Sequence, residues 1–300
     1  MNDGSPALPA VWVDGERLST GRPHVSALDR GFLLADGVFE TLRAYGGVVF
    51  RLDAHLARLE HALATLEISV PPEMRAWVHA AVRAVDLEDM SVRLTVTRGV
   101  AATGGLVPRD ASAPPTVVVT VSALPALPAR TYHLGLSAHV ASGRRNERAM
   151  TAGLKTIAYT DAVAALLEAR RAGADEALLL DTEDHCSEAS ASNLFAVLRG
   201  TLVTPPLACG VLPGITRATV LELAPELGIA AEERAFRVDE LLDAEEAFLT
   251  SSLRQLAPLV RVGRHAIGSG IPGAITRELM AAYDALVSQE CRVGAARPRP

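Results

Sequence analysis

Residues 187–195 read Ser-Glu-Ala-Ser-Ala-Ser-Asn-Leu-Phe, and residues 212–217 read Leu-Pro-Gly-Ile-Thr-Arg. The first stretch places one carboxylate, Glu188, shortly before an apolar strand predicted over 193–198. The second opens a predicted helix at Gly214, and the first turn of a helix offers backbone N–H groups and a positive dipole end to a phosphate. Each feature alone has a plainer structural explanation, as an ordinary strand-edge carboxylate and an ordinary helix start.

Lys155 is the only lysine in the 300 residues, since the other 28 of the 29 basic residues are arginines. An arginine-biased composition could leave one lysine by chance. The position of this lysine in Gly153-Leu-Lys-Thr-Ile-Ala-Tyr159, just before a predicted helix, argues for a functional role. An amine, unlike a guanidinium, can lose its proton in a desolvated pocket and attack a carbonyl. An amine, a carboxylate and a phosphate-binding site are together what pyridoxal phosphate requires.

Composition narrows the class of protein. The net charge is −6 with 49% hydrophobic residues, and mixed charges argue against nucleic acid or a membrane as partner. Three scattered cysteines predict neither a disulfide framework nor a metal knuckle, so a cytoplasmic location is expected. The eight histidines show no ligand spacing, so no metal site is predicted. Neither a signal peptide nor a membrane-spanning segment is expected.

Hydrophobic periodicity predicts two α/β halves. The Pro- and Ala-rich stretch at 122–130 is interpreted as a connector between a small domain, 1–121, and a larger one, 131–300. In the small domain, Asp53 is expected to cap a helix over 55–68. In the large domain, a helix over 160–172 is expected, with Val163, Leu166 and Leu167 on one face. Strand character is expected over 132–140.

Taken together, the motifs resemble the class IV pyridoxal-phosphate enzymes, also called fold type IV. This family includes branched-chain and D-amino-acid aminotransferases and aminodeoxychorismate lyases. The similar segments are Asp29-Arg-Gly-Phe32, Asp36-Gly-Val-Phe-Glu-Thr41, His55-Leu-Ala-Arg-Leu59, Glu188 to Phe195, Leu212 to Arg217 and Phe248-Leu-Thr-Ser-Ser252. The resemblance implies mixed α/β sheets, with a small N-terminal α/β domain and a larger, barrel-like C-terminal domain that binds the cofactor. It also implies a homodimer or a higher homo-oligomer.

The resemblance assigns roles residue by residue. Lys155 would form the Schiff base and move the substrate proton, and Glu188 would pair with the pyridine nitrogen. The phosphate would be bound by Arg58, by the backbone amides of Ile215 and Thr216, and by Ser252. Two further cofactor contacts are expected, from Leu212 under the ring and from Tyr159 near the phenolic oxygen.

The substrate is left open by the sequence. The Tyr-x-Arg-Pro clamp of branched-chain enzymes is replaced by Val92-Arg-Leu-Thr-Val96, and the Arg-x-His pair of D-amino-acid enzymes is missing after Thr97-Arg-Gly99. A buried substrate carboxylate needs a cationic or amide partner, and Arg98 or Arg254 could supply it. The substrate-contacting residues proposed are Phe39, Glu40, Arg98, Ser251 and Leu253.

Three activities therefore stay open. The first is a transaminase acting on an amino acid or amine and a keto acid. The second is an aminodeoxychorismate lyase that releases pyruvate and p-aminobenzoate, which the Ser251-Ser-Leu-Arg254 segment favours and Glu40 disfavours, because some lyases place a threonine there. The third is a non-catalytic protein that only binds pyridoxal phosphate.

Overall fold

The computed structural model describes residues 9–19, 24–100, 105–107, 114–124 and 128–292. The chain forms two compact units. Unit 1 comprises the described residues within Met1–Pro125, Lys155–Ala158 and Ser288–Pro300, and unit 2 comprises those within Ala126–Leu154 and Tyr159–Val287. The division along the chain falls inside the predicted connector, but the segment that carries Lys155 groups with the N-terminal residues rather than with 131–300.

Unit 1 is built on one antiparallel sheet of six strands. Its helices and strands are β1 (Ala10–Val13), β2 (Glu16–Leu18), α1 (Arg30–Leu34), β3 (Gly37–Tyr45), β4 (Val48–Val49), α2 (Leu52–Thr65), α3 (Met74–Arg83), β5 (Asp89–Thr97) and β6 (Thr116–Ala123). The strand order is β2-β1-β6-β5-β3-β4. On β5 and β6 every second residue is buried, as expected for a sheet with one face packed on helices.

Unit 2 contains the second sheet. Its helices and strands are α4 (Arg130–His133), β7 (Leu136–Arg144), α5 (Thr160–Arg171), β8 (Glu176–Leu180), β9 (Cys186–Ala189), β10 (Asn193–Leu198), β11 (Thr201–Thr204), α6 (Ile215–Glu226), β12 (Ala231–Glu233), α7 (Val238–Leu242), β13 (Glu246–Ser251), β14 (Gln255–Val262), β15 (His265–Ala266) and α8 (Ala274–Arg292), whose last residues group with unit 1.

This second sheet closes on itself. The strand order is β12-β11-β10-β13-β14-β7-β8-β9, and β9 also pairs with β10 through Glu188 and Asn193. Six strands therefore form a ring, which agrees with the predicted barrel-like architecture. The side chains of the enclosed core come from all six strands; among them are Leu136, Leu178, Ala189, Leu194, Leu249 and Leu259. Phe195 and Phe248 occupy the alternate positions of β10 and β13, and their rings stack with centroids 5.0 Å apart.

Several local predictions were wrong. Helix α2 begins at Leu52 with Arg51 as its N-cap residue, so Asp53 lies in the first turn and does not cap it. On α5 the alanines Ala165 and Ala169 are buried where the helix packs on β7 and β8, whereas Val163 and Leu167 on the predicted apolar face are exposed.

Other differences concern the ends of strands. Residues 130–133 form helix α4, so strand character begins at Leu136 rather than at 132. Strand β6 continues to Ala123 because Ser122 and Ala123 pair with β5, which takes two residues from the predicted connector; residues 125–127 lie outside the described residues. No helix in the described ranges has the length and apolarity needed to cross a bilayer.

Candidate active site

Lys155 is attached through its backbone to the edge of β3. Its carbonyl accepts a hydrogen bond from the Phe39 N–H at 2.9 Å, and the Ile157 N–H donates to the Gly37 carbonyl at 3.0 Å. Thr156 and Val38 form the β-bridge between these two bonds. The segment 155–157 therefore covers a strand edge that would otherwise be unpaired, and the backbone of Lys155 is held on a rigid element.

The side chain of Lys155 lies beside the aromatic ring of Phe39. Its Nζ atom is 4.6 Å from the ring centroid, and the guanidinium carbon of Arg93 is 3.7 Å from the same centroid. Arg93 lies opposite Thr41 in the β3–β5 register, so it shares the sheet face of Phe39. Two cations thus gather around one ring, an arrangement that favours a negatively charged ligand on this face.

The opposite face of β3 carries a buried charge network. Glu40 is fully buried and accepts hydrogen bonds from His55 Nδ1 at 2.7 Å and from Arg58 Nε and Nη2 at 2.7 and 2.6 Å. Burial by itself raises the pKa of Glu40, but the bonds from His55 and Arg58 outweigh it and lower the pKa to about 2. Burial lowers the pKa of His55, and the hydrogen bond and negative charge of Glu40, which raise this pKa, do not fully offset the effect of burial.

Glu188 lies in unit 2 at the point where the ring of strands closes. It is buried on β9, and its carboxylate accepts hydrogen bonds from the Leu212 N–H at 2.9 Å and from the Asn193 amide at 3.3 Å. Arg145 forms an ion pair with it at 3.0 Å. The Asn193 amide also donates to the Leu212 carbonyl at 2.9 Å. Glu188 and Leu212, predicted as two separate contacts, are therefore held together by one network.

The predicted phosphate-binding site is the start of α6. Its N-cap residue is Gly214, which offers no side-chain oxygen to the first-turn N–H groups of Ile215 and Thr216. A side chain at position 214 would collide with Asn193, so glycine is required there. Helix α6 is 12 residues long, so its dipole places a partial positive charge at this N-terminal end, which favours an anion there.

A buried hydroxyl on β13 also fits an anion. Among the described residues, the Thr250 Oγ1 atom is buried without a hydrogen-bond partner. Thr250 pairs with Asn193 in the β10–β13 register. Ser251 ends β13 and the turn after it carries Ser252 and Leu253, all three half-buried. An unsatisfied buried hydroxyl costs free energy, and a phosphate oxygen is an acceptor that would satisfy it.

Two arginines considered for the substrate carboxylate already bind carboxylates of the protein. Arg98 donates to both oxygens of Asp36 and to the carbonyls of Leu66 and Glu67. Arg254 donates to the buried Glu176 at 2.7 Å. These contacts favour structural roles, and the substrate role of Arg98 stays a prediction. Tyr159 is half-buried at the start of α5.

Sequence reasoning missed Arg93, Arg145 and Asn193. Strand β3 is not evident from local periodicity, so the register that brings Arg93 beside Phe39 cannot be inferred from it. The adjacent pair Arg144 and Arg145 is typical of a solvated face, and only the pairing of β7 and β9 with β8 brings Arg145 to Glu188. Asn193 belongs to the motif that begins at Glu188, and that motif is the one signal in the sequence that points to it.

The chain is similar to known proteins in sequence and in fold. Residues 37–262 match the family described as amino-transferase class IV. The chain is 33% identical to a branched-chain-amino-acid aminotransferase of Pseudomonas aeruginosa, over 93% of this chain and 92% of that protein. It superimposes on the T.th. branched-chain amino acid aminotransferase with pyridoxamine 5'-phosphate at a TM-score of 0.88, with 27% identity, covering 95% and 96% of the two chains. The 4-amino-4-deoxychorismate lyase of Pseudomonas aeruginosa gives a TM-score of 0.82 at 33% identity, covering 94% and 99%.

The low pKa of Glu40 predicts a specific dependence of stability on pH. Because the folded-state pKa is about 2 against an ordinary 4.5, the stabilisation is present above pH 4.5 and is lost as the pH falls toward 2. We expect Glu40→Gln to lower the free energy of unfolding at neutral pH by about 3 kcal/mol. Chemical denaturation of the two proteins at several pH values measures this difference.

The matched control is Glu60→Gln, on an exposed position of the same helix as His55 and Arg58. It should change the unfolding free energy by less than about 0.5 kcal/mol. If Glu40→Gln retains the wild-type dependence on pH below 4.5, the network does not stabilise the ionised carboxylate.

Proposed function

We propose that this chain, which belongs to the class IV aminotransferases, uses the amine of Lys155 to move an amino group between an amino acid or amine and a keto acid. Enzymes of this family use pyridoxal phosphate, and the chain is a transaminase that depends on this cofactor. The single observation that carries the residue assignment is the anchoring of the only lysine, through its backbone, to the edge of β3 beside Phe39 and Arg93.

The residues present fit the cofactor. When bound, pyridoxal phosphate supplies an aldehyde for covalent attachment and a pyridinium ring that withdraws electrons. Lys155 would hold it covalently and carry the proton between the substrate Cα and C4′ of the cofactor. Glu188, oriented by Arg145, Asn193 and the Leu212 N–H, would accept the pyridine N–H.

The phosphate would be held by neutral and charged donors. The first-turn N–H groups of Ile215 and Thr216 and the hydroxyl of Ser252 are the neutral donors proposed, and the buried Thr250 hydroxyl joins them. Arg58 would supply the positive charge, with Glu40 fixing its guanidinium by two hydrogen bonds. Leu212 would pack under the ring, and Tyr159 would lie near the phenolic oxygen.

A lyase is the second candidate, supported by the likeness to the Pseudomonas aeruginosa 4-amino-4-deoxychorismate lyase. Elimination needs a proton donor for the leaving group. Glu40 is a poor one, because its pKa is about 2 and its oxygens accept bonds from His55 and Arg58 on the sheet face opposite Phe39. Transamination needs only the proton transfer by Lys155. The hydrogen bonds and low pKa of Glu40 therefore favour transamination over elimination.

The test of the function is a pair of substitutions at the lysine. We expect Lys155→Ala to abolish turnover, with loss of borohydride trapping of the cofactor on the protein. Lys155→Arg keeps the charge but not the nucleophile, so it should be equally inactive. The measurements are borohydride labelling with mass spectrometry, and absorbance of the wild-type cofactor during an amino-donor screen.

The absorbance also separates the candidates. Conversion of the cofactor to its amine form by a donor supports transfer, whereas an aromatic product formed without that conversion supports elimination. A wild-type protein that is colourless, cannot be labelled at Lys155 and does not take up added cofactor would overturn the assignment.

We propose Arg93 as the residue that binds the substrate carboxylate. Its guanidinium lies over Phe39, on the sheet face and against the ring that Lys155 also contacts. A charge-assisted hydrogen bond is worth roughly 1.5–3 kcal/mol, so Arg93→Met should raise KM for carboxylate substrates roughly 10- to 100-fold. The KM for amine donors without a carboxylate should change little, and steady-state kinetics measure both.

The control for Arg93 is Arg43→Met, because Arg43 also lies over an aromatic ring of β3, that of Tyr45, and pairs with Asp89. It should leave both KM values near wild type. An equal rise of KM for amino acids and for simple amines in Arg93→Met would mean that the side chain supports the sheet rather than the carboxylate.

We propose a homodimer formed through an exposed apolar surface of unit 1. Helix α1 and the segment 105–107 are tied together by Arg30, whose guanidinium donates to the carbonyls of Gly105 and Leu106. Large exposed side chains lie just before α1, on α1 and on the segment 105–107; these are Leu28, Phe32, Leu33, Leu34, Leu106 and Val107. A surface of this kind is unfavourable in water, and a second copy of the same surface covers it symmetrically.

Phe32→Glu should convert the dimer into monomers, because it places two charges in a desolvated symmetric contact. Light scattering after gel filtration gives the mass, and Leu87→Glu, at an exposed apolar position elsewhere in unit 1, is the control. A wild-type monomer, or an unchanged dimer in Phe32→Glu, would exclude this surface.

The three free cysteines of the described residues, all buried, suit a reducing compartment, and we propose a cytoplasmic location.

A further inference from the structure

Three different metal-ligand atoms meet in unit 2, at the hairpin between β8 and β9. They are a carboxylate oxygen of Asp181, a ring nitrogen of His185 and the thiol of Cys209, all within 4.8 Å of one another. We propose that this cluster binds one divalent metal ion of the zinc type. The proposal is independent of the cofactor chemistry, because it assigns no role to Lys155 or Glu188.

The distances suit a tetrahedral ion. The Nδ1 atom of His185 is 3.2 Å from the Oδ2 atom of Asp181. Two ligands at about 2.0–2.1 Å from one tetrahedral zinc ion are about 3.3 Å apart. The set of one oxygen, one nitrogen and one sulfur is typical of zinc rather than of magnesium or calcium, which prefer oxygen alone.

Neighbouring hydrogen bonds orient the proposed ligands. The Oδ1 atom of Asp181 accepts the N–H groups of Glu183 at 2.9 Å and His185 at 2.8 Å, which turns Oδ2 toward the histidine. The hydroxyl of Ser187 donates to the carbonyl of Cys209 at 2.7 Å and fixes the backbone of the cysteine. Such supporting contacts are usual around protein metal ligands. His185 is half-buried, which leaves a path for an ion.

The charges around the cluster favour a cation, and one cost opposes it. Glu147, Glu183 and Asp184 add negative charge, while Arg144 and Arg148 pair with them at the surface. Burial and the neighbouring Asp181 raise the pKa of Cys209 to about 12. Binding therefore replaces the thiol proton by the metal: an S–H bond breaks, a sulfur–metal bond forms and one proton is released to solvent.

No local sequence pattern indicates this cluster, because its members come from two separate segments. Asp181 and His185 flank a tight turn, and Cys209 ends a short 3-10 turn at 207–209. In a simpler interpretation, the thiol donates a hydrogen bond to Asp181 and no metal binds. Measured zinc binding separates the two.

The test is equilibrium dialysis of the untagged holoenzyme against zinc, with the bound metal counted per chain. We expect one tightly bound zinc ion per chain, and a rise of the melting temperature on its addition. Cys209→Ser and His185→Gln should each weaken binding roughly 10- to 100-fold and remove the rise. Cys291→Ser is the matched control, since Cys291 is also a buried free thiol but lies outside the cluster.

Zinc K-edge X-ray absorption of the wild-type protein keeps the proposal testable if a variant fails to fold. One sulfur ligand and at least one imidazole are expected. A wild-type protein that retains no zinc, zinc bound equally by Cys209→Ser, or a sulfur-free zinc spectrum would each overturn the proposal. Loss of transaminase activity plays no part in this test, so the proposed function and this site can fail separately.

Discussion

The pairing of residues 155–157 with the edge of β3 is the constraint on which the site in unit 1 depends. Lysine has a long side chain with many rotamers, and positioning its amine by side-chain contacts alone would cost much conformational entropy. Here two backbone hydrogen bonds fix the start of that side chain, and the ring of Phe39 lies beside its end. The strand edge is protected and the amine is positioned by the same contact.

Three arginines stabilise carboxylates that the chain buries. A buried carboxylate is costly without charged donors, and the planar guanidinium supplies two parallel donors. Three buried glutamates, Glu40, Glu176 and Glu188, are each paired with one arginine; these are Arg58, Arg254 and Arg145. Arg254, which the sequence suggested as a partner of the substrate carboxylate, is therefore already paired with a carboxylate of the protein. Arg93 has different surroundings, because its guanidinium lies over the same aromatic ring as the amine of Lys155.

The turn at 207–212 connects two networks within unit 2. Cys209 contributes to the cluster with Asp181 and His185, and three residues later the N–H of Leu212 donates to Glu188. Arg145 joins both ends, since it pairs with Glu188 and donates to the carbonyl of Gly210 at 3.1 Å. Residues of this short turn therefore take part in both networks.

The sequence alone determined the family and the cofactor, because the motifs behind them depend on local residue types: one amine, one carboxylate and a glycine that opens a helix. It also predicted from periodicity the helices that the structure has as α2 and α5 and the strand it has as β10. Only the tertiary structure decided which residues meet. The edge pairing of Lys155, the place of Arg93 over Phe39, the pairing of Glu40 with Arg58 and the convergence of Asp181 with Cys209 all depend on strand register and on the packing of segments that are distant in the sequence. Register is set by long-range packing, which local sequence patterns do not encode.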